Sequence, residues 1–237
     1  MYHKKYQKKK LGAIIFARCS SKRLPNKVLR KINKKPVLWY IVERTKQVRN
    51  ISNRNIVIAT SEEKSDDKIE KFCHEHHLIC FRGNLNNVAL RAINCCEKYN
   101  FNFFLRICAD RPFLNFELFN RMISKKFYNY DLITNNLVKS YPKGQTCEII
   151  NFDTFKLNYK NFKSKKNREH ICNYFYINKK KFKIKNFKSN LNKDMQKLNL
   201  SLDTISDFIK IKKIYKYFKF KKNISTDYVI KKYRELT

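Results

Sequence analysis

Three short apolar runs, each leading through a polar loop into a stretch with helical spacing, constrain the fold of this chain more than any other feature. Residues 12–17 (GAIIFA), 55–60 (NIVIAT) and 103–108 (FFLRIC) are nearly continuous in apolar character rather than alternating. That is the pattern of strands covered on both faces. Helical spacing recurs between them. Pro36 opens one helix, a position where its missing N–H does no harm, and Leu38, Ile41, Val42, Thr45 and Val48 follow along one face. Residues 65–77 place Ile69, Phe72 and Cys73 together, 87–99 and 115–127 read as further helices, and 78–81 and 131–134 as short strands. Alternation of this kind predicts an α/β fold with βαβ crossovers and a mostly parallel sheet. After Tyr141 the alternation loosens, with strands expected at 147–151, 182–184 and 198–202 and closing helices at 204–218 and 227–236. One domain is expected over 11–237, behind a mobile basic tail at 1–10. The stretch around 138–192, most basic and least periodic at 164–192, is expected to be an insertion or a dimer arm.

The chain carries 54 Lys and Arg against 19 Asp and Glu, a net charge of +35. Such a balance invites a nucleic-acid reading. The excess is spread along the chain, however, and accompanies abundant Lys, Asn, Ile, Phe and Tyr, the bias of an AT-rich genome. We read it as solvated surface that also draws anions toward a cleft. With 3 Gly and 4 Pro the chain is not collagen-like or Gly/Pro-rich. No apolar stretch reaches the ~18 residues of a membrane span, and the apolar run behind the basic N-terminus stops at Arg18, short of a signal peptide. A cytoplasmic protein without membrane contact is expected. The 8 cysteines form no CxxC pair and mostly sit in apolar runs, which argues against a zinc ribbon or a disulfide framework. His74-Glu75-His76-His77 lacks metal-site spacing and reads as a polar helix end.

Ligands of open α/β sheets bind beyond the carboxyl ends of the strands. There the loop 18–27 (RCSSKRLPNK) leaves the first strand with Arg18, Lys22, Arg23 and Lys27, the hydroxyls of Ser20 and Ser21, and Pro25 to stiffen it. Guanidiniums bind phosphate bidentately and lysines as point charges. The loop is therefore a phosphate-binding candidate, or else a solvated basic loop. Neither GxxxxGK[ST] nor GxGxxG occurs, which sets aside P-loop hydrolases and Rossmann dehydrogenases. Asp110, in 106–112 (RICADRP), would emerge beside Arg18. It could hold Mg2+ or cap the turn before Pro112. Asp203, in 201–207 (SLDTISD), could be a second carboxylate on that ion or, like Thr204, the N-cap of the next helix. A basic loop with two strand-terminal carboxylates is what phosphoryl and nucleotidyl transfer require, because cations must hold the phosphates while charge develops.

Taken in order, these motifs resemble the cytidylyltransferases that make CMP-activated acidic sugars, above all the branch named for spore-coat polysaccharide biosynthesis. The resemblance runs through 13–29, 55–60, 81–83 (FRG), 88–91, 106–112, 141–148, 168–170 (REH) and 202–207. It implies a single three-layer domain of the nucleotide-diphospho-sugar transferase type, dimeric through an inserted arm. It implies CTP and an acidic sugar of the nonulosonic type as substrates, Mg2+ as cofactor, and CMP-sugar and pyrophosphate as products. By position, Arg18, Ser20, Ser21, Arg23 and Lys27 would bind the nucleotide, with Arg82 and Arg91 near it, and Arg18, Lys27 and Asp110 would be catalytic. Asp110 and Asp203 would hold the metal, and Glu148, Arg168, Glu169 and His170 would face the sugar. Phe16 departs from an expected Gln, and Asn87, Asn115 and Thr146 each depart from an expected Asp. The competing reading is a nucleic-acid- or polyanion-binding protein on a decayed transferase scaffold. Charge placement separates the two. An enzyme gathers Arg18, Arg23 and Lys27 around Asp110 in one cleft, whereas a binder spreads a basic stripe with exposed aromatics.

Overall fold

A computed structural model describes residues 9–124 and 126–236; most of the basic tail, 1–8, lies outside the described residues. In chain order the elements are β1 (Leu11–Phe16), β2 (Lys31–Ile32), β3 (Lys35–Pro36), α1 (Val37–Thr45), β4 (Ile56–Ser61), α2 (Asp67–Glu75), β5 (Ile79–Gly83), α3 (Val88–Tyr99), β6 (Phe103–Cys108), α4 (Phe116–Met122), β7 (Leu132–Thr134), β8 (Glu148–Asn151), α5 (Phe152–Asn158), α6 (Lys165–Glu169), α7 (Asn173–Ile177), β9 (Ile184–Asn186), α8 (Lys193–Gln196), α9 (Ile205–Tyr217) and α10 (Thr226–Leu236).

Among the described residues the main sheet has seven strands in the order β5-β4-β1-β6-β8-β7-β9. β5, β4, β1 and β6 are mutually parallel; β8 runs antiparallel to β6 and to β7, and β9 parallel to β7. The apolar runs are central strands because almost nothing in them requires water, and the exception, Arg106, is paired with Glu148. Ala13 and Ile15 of β1 enter one buried cluster with α1, α2, α4, α9 and α10, while Ile14 enters a second with α3, α5 and α7. A single domain with helices on both faces of a mostly parallel sheet results, as expected from the alternation.

After β1 the chain adds strands outward on one side, β4 then β5, and then returns to place β6 on the other side of β1. The strand order thus reverses between β1 and β6, which is where open α/β sheets form a ligand crevice. Phe16 and Cys108 are register partners at the ends of these strands. The loops that follow therefore emerge side by side, tied by the Ala109 N–H to the Phe16 carbonyl at 3.0 Å.

Two expectations are corrected. Residues 198–202 are extended but form no strand, because they meet two separate partners. Asn199 bridges Lys143 alone, and Leu202 then donates its N–H to the Asp110 carbonyl at 2.8 Å, so no continuous ladder forms. The helix expected over 115–127 ends at Met122, with a 3-10 turn at Phe127–Asn129 after it. The basic stretch 164–192 contributes α6, α7 and the edge strand β9, and Phe175 within it is fully buried.

Candidate active site

The loop after β1 is organised around Cys19. Its carbonyl accepts N–H groups from Ser21 (2.8 Å) and Asn26 (3.0 Å), and its own N–H donates to the buried carboxylate of Asp66 at 2.6 Å. Asn26 takes φ 54°, a conformation Asn tolerates, and the turn Lys27–Leu29 follows. Burial and the neighbouring Asp66 push the Cys19 thiol up to about 11, so it stays protonated and is no nucleophile.

This loop walls a cleft of about 780 Å³ at the carboxyl ends of β1 and β6. Arg18, Ser20, Ser21, Lys22, Arg23 and Lys27 line it, opposite Asp110 and Asp203. The Lys27 ammonium donates to Asp110 Oδ2 at 2.7 Å, to the Leu202 carbonyl at 2.9 Å and to Asp203 Oδ1 at 3.2 Å. Asp203 also pairs with Arg23 at 3.0 Å and Lys143 at 2.7 Å. Burial alone would raise the Asp203 carboxyl, but Lys143 and Lys27 bring it down to about 2. The cap of α9 falls instead to Thr204, in a capping box with Asp207, which frees Asp203 to face the cleft. Arg18 reaches across to Glu169 of α6 at 3.1 Å.

Arg91 lines the same cleft, is 2 % exposed, and leaves Nε and Nη1 without a protein partner. Burial lowers its guanidinium to about 10, so it is still a cation at neutral pH. A buried guanidinium with open donors is costly unless a ligand completes it. Phe16 lies against it, 5.8 Å from ring centroid to guanidinium carbon.

The sugar-side residues divide. Glu169 and His170 line the cleft. Glu148 borders a smaller adjoining cavity of about 210 Å³, but its oxygens are occupied by Arg106 at 2.6 Å and by the Tyr176 hydroxyl. Two implied positions are not brought to the cleft. Arg82 turns to α2, pairing with Asp67 and Glu70 at 2.7 Å each. Arg168 donates its Nε to the Phe162 carbonyl at 3.0 Å, outside both cavities. β5 is an edge strand two places from β1, and there the acids of α2 take up the Arg82 guanidinium.

Two of the departures are structurally neutral. Asn87 and Asn115 are the N-caps of α3 and α4, accepting the Leu90 and Leu118 N–H groups at 3.0 and 2.9 Å, a task Asn and Asp perform equally well. Sequence reasoning missed Lys143, Asp66 and Arg106. Asp66 carried a signal, an acidic pair just ahead of a helix; Lys143 and Arg106 carried none without the fold.

The cytidylyltransferase family model matches residues 12–234. The Methanocaldococcus jannaschii protein MJ1063 is 31% identical over 210 residues, covering 88% of this chain and 84% of that protein. The Bacillus subtilis spore coat polysaccharide biosynthesis protein SpsF is 28% identical over 209 residues, covering 85% of each. Among solved structures, a cytidylyltransferase from Leptospira borgpetersenii superposes with a TM-score of 0.89 at 27% identity, over 96% of this chain and 95% of that one. CMP:2-keto-3-deoxy-manno-octonic acid synthetase complexed with CTP shares the fold, with a TM-score of 0.63 at 13% identity over 88% of this chain and 99% of that one. The chain belongs to the cytidylyltransferase family and is a CTP-using nucleotidyltransferase.

Proposed function

We propose that this cytidylyltransferase transfers CMP from CTP to an acidic sugar of the nonulosonic type, releasing pyrophosphate, in the synthesis of a surface glycan. One observation carries the reading: Arg18, Arg23 and Lys27 converge with Asp110 and Asp203 in a single cleft at the strand-order switch. The excess charge is spread over the whole chain, yet these three cations meet two carboxylates in one cleft, which supports an enzyme over a polyanion binder.

In the reaction an acceptor hydroxyl oxygen bonds to the α-phosphorus while the bond from that phosphorus to the β-bridging oxygen breaks. Pyrophosphate leaves and the hydroxyl proton passes to solvent. Charge grows on the leaving group, where Arg18, Arg23 and Lys27 neutralise it. Arg91, buried with open donors, completes its hydrogen bonds on the bound nucleotide.

Asp110 and Asp203 both bond the Lys27 ammonium, so the two carboxylates stand close enough to share an ion. No third acidic or histidine side chain joins them in a metal-binding group among the described residues. Two carboxylates, with phosphate oxygens and water for the rest, suit Mg2+, and these two residues would hold it. When bound, Mg2+ would neutralise charge on the reacting phosphate. In keeping with the resemblance, we read the enzyme as a cytoplasmic homodimer, which light scattering tests.

The test is pyrophosphate release from CTP, with N-acetylneuraminic acid and 2-keto-3-deoxy-octonic acid as acceptors. Release with an acid, and none with ATP or GTP, is expected. CTP binding without release for any acidic sugar would defeat the reading.

A further inference from the structure

The smaller cavity next to the cleft is charged in a way the nucleotide chemistry does not use. Arg106 and His170 line both spaces, so the two are contiguous. The rest of the smaller wall is Arg111, Asn136, Thr146, Glu148, Cys172, Asn173 and Tyr176. Two guanidiniums therefore face one carboxylate. Arg106 is committed to Glu148 at 2.6 Å, and the register partners Leu105 and Ile149 fix that pair on adjacent strands. Arg111 donates Nη1 to the Thr146 carbonyl at 3.0 Å. It feels the charges of Glu148 and the adjacent Asp110 but makes no direct ion pair among the described residues, since both Glu148 oxygens are taken by Arg106 and Tyr176. One positive charge is left over beside a cavity of about 210 Å³, on the scale of one monosaccharide.

We propose that Arg111 is the specificity-determining residue of the acceptor site, its guanidinium pairing with the carboxylate of the acceptor sugar held between Arg111 and the shared residues Arg106 and His170. This deepens, and rests on, the sugar-acid reading above. A guanidinium fork matches a carboxylate edge in two parallel hydrogen bonds. The charge count selects a monoanion. A phosphate dianion would bring a second negative charge against Glu148, a buried carboxylate already bonded on both oxygens. The side-chain amide of Asn136, without a protein partner among the described residues, and the hydroxyl of Thr146 line the cavity and supply neutral groups suited to sugar hydroxyls.

The test compares N-acetylneuraminic acid and 2-keto-3-deoxy-octonic acid with their methyl esters, by calorimetric binding to the CMP-loaded protein, in wild type, Arg111→Gln and Arg111→Lys. The wild type is expected to prefer at least one acid over its ester. Arg111→Gln should weaken that acid by about 10- to 100-fold, the scale of a lost charged hydrogen bond, and bring it level with the ester. Arg111→Lys should restore part of the preference. CTP affinity should stay within about twofold in both variants, which also reports that they are folded. Retained acid-over-ester preference in Arg111→Gln would overturn the assignment while leaving acid-dependent pyrophosphate release intact. If the wild type binds CTP but neither acid, the assignment and the sugar-acid reading fall together.

Discussion

Asp66 lies outside the cleft, yet the geometry makes it the anchor of the phosphate loop, and Asp66→Asn isolates that role. Its carboxylate accepts the Cys19 N–H at 2.6 Å through Oδ1, and the Ser61 N–H at 3.1 Å and Ser61 hydroxyl at 2.5 Å through Oδ2. The residue is fully buried, so water cannot replace a lost acceptor. An Asn amide keeps one oxygen. Directed at Cys19, that oxygen leaves NH2 facing Ser61, whose hydroxyl can turn to accept while its N–H cannot. One backbone donor is orphaned, and the surviving bonds fall from charged to neutral strength. Losing a charged hydrogen bond in a buried site costs about 1.5–3 kcal/mol, and the weakening adds to it, giving about 2–4 kcal/mol in all. Cys19 holds the loop through both its N–H and its carbonyl, so the loss reaches Arg18, Ser20 and Ser21. KM for CTP should rise about tenfold, equivalent to 1.4 kcal/mol of binding. Chemical denaturation and CTP kinetics on the same preparations measure both effects. Asp67→Asn, at the exposed neighbour paired with Arg82, is the control and should shift stability by no more than about 0.5 kcal/mol. A variant that loses the stability but keeps wild-type KM and kcat would refute loop anchoring and leave Asp66 a core residue only.

Asp110→Asn removes the charge that faces Lys27 at 2.7 Å; kcat should fall at least about a hundredfold, or ~2.7 kcal/mol, with partial recovery at raised Mg2+, and normal turnover would remove Asp110 from the reaction. Asp203, at about 2 in the folded protein, lies below the ~3.9 of an unfolded Asp. Its ionised form therefore stabilises the fold above about pH 4, and this contribution of about 2–3 kcal/mol is lost as pH falls toward 2; Asp203→Asn should flatten the acid-unfolding profile across that window. Gly144 sits at φ +92°, and a Cβ there would lie 2.6 Å from the Leu200 carbonyl carbon, so Gly144→Ala should cost about 2–4 kcal/mol in denaturant titrations and displace the segment that carries Asp203. Arg44, fully buried, donates to the Leu114, Lys222 and Ile224 carbonyls and to Thr226; Arg44→Met should lower stability by about 3–5 kcal/mol, read as a drop in Tm of roughly 6–20 °C, with the kinetics of the folded fraction unchanged.

What the sequence revealed and what it hid follow from the range of the interactions involved. The runs at β1, β4 and β6 are legible because a strand buried on both faces is apolar whatever its neighbours are, and the loops that leave parallel strands share one edge of the sheet; where the strand order turns is seen only in the fold. That shared edge is enough to bring the loop 18–27 and Asp110 together. Residues 198–202 show the opposite case: an apolar run cannot state whether its backbone meets one partner or two, and here Lys143 and Asp110 share it. Charged residues carry even less local information. Arg82 and Arg91 read alike in the chain, yet one finds the acids of α2 and the other lies with unpaired donors in the cleft. Glu148 reads as a ligand until the antiparallel register Leu105↔Ile149 sets it opposite Arg106. Once that pair is closed, its neighbour Arg111 is left as the surplus charge of the acceptor cavity, a property no single residue possesses and only the paired strands create.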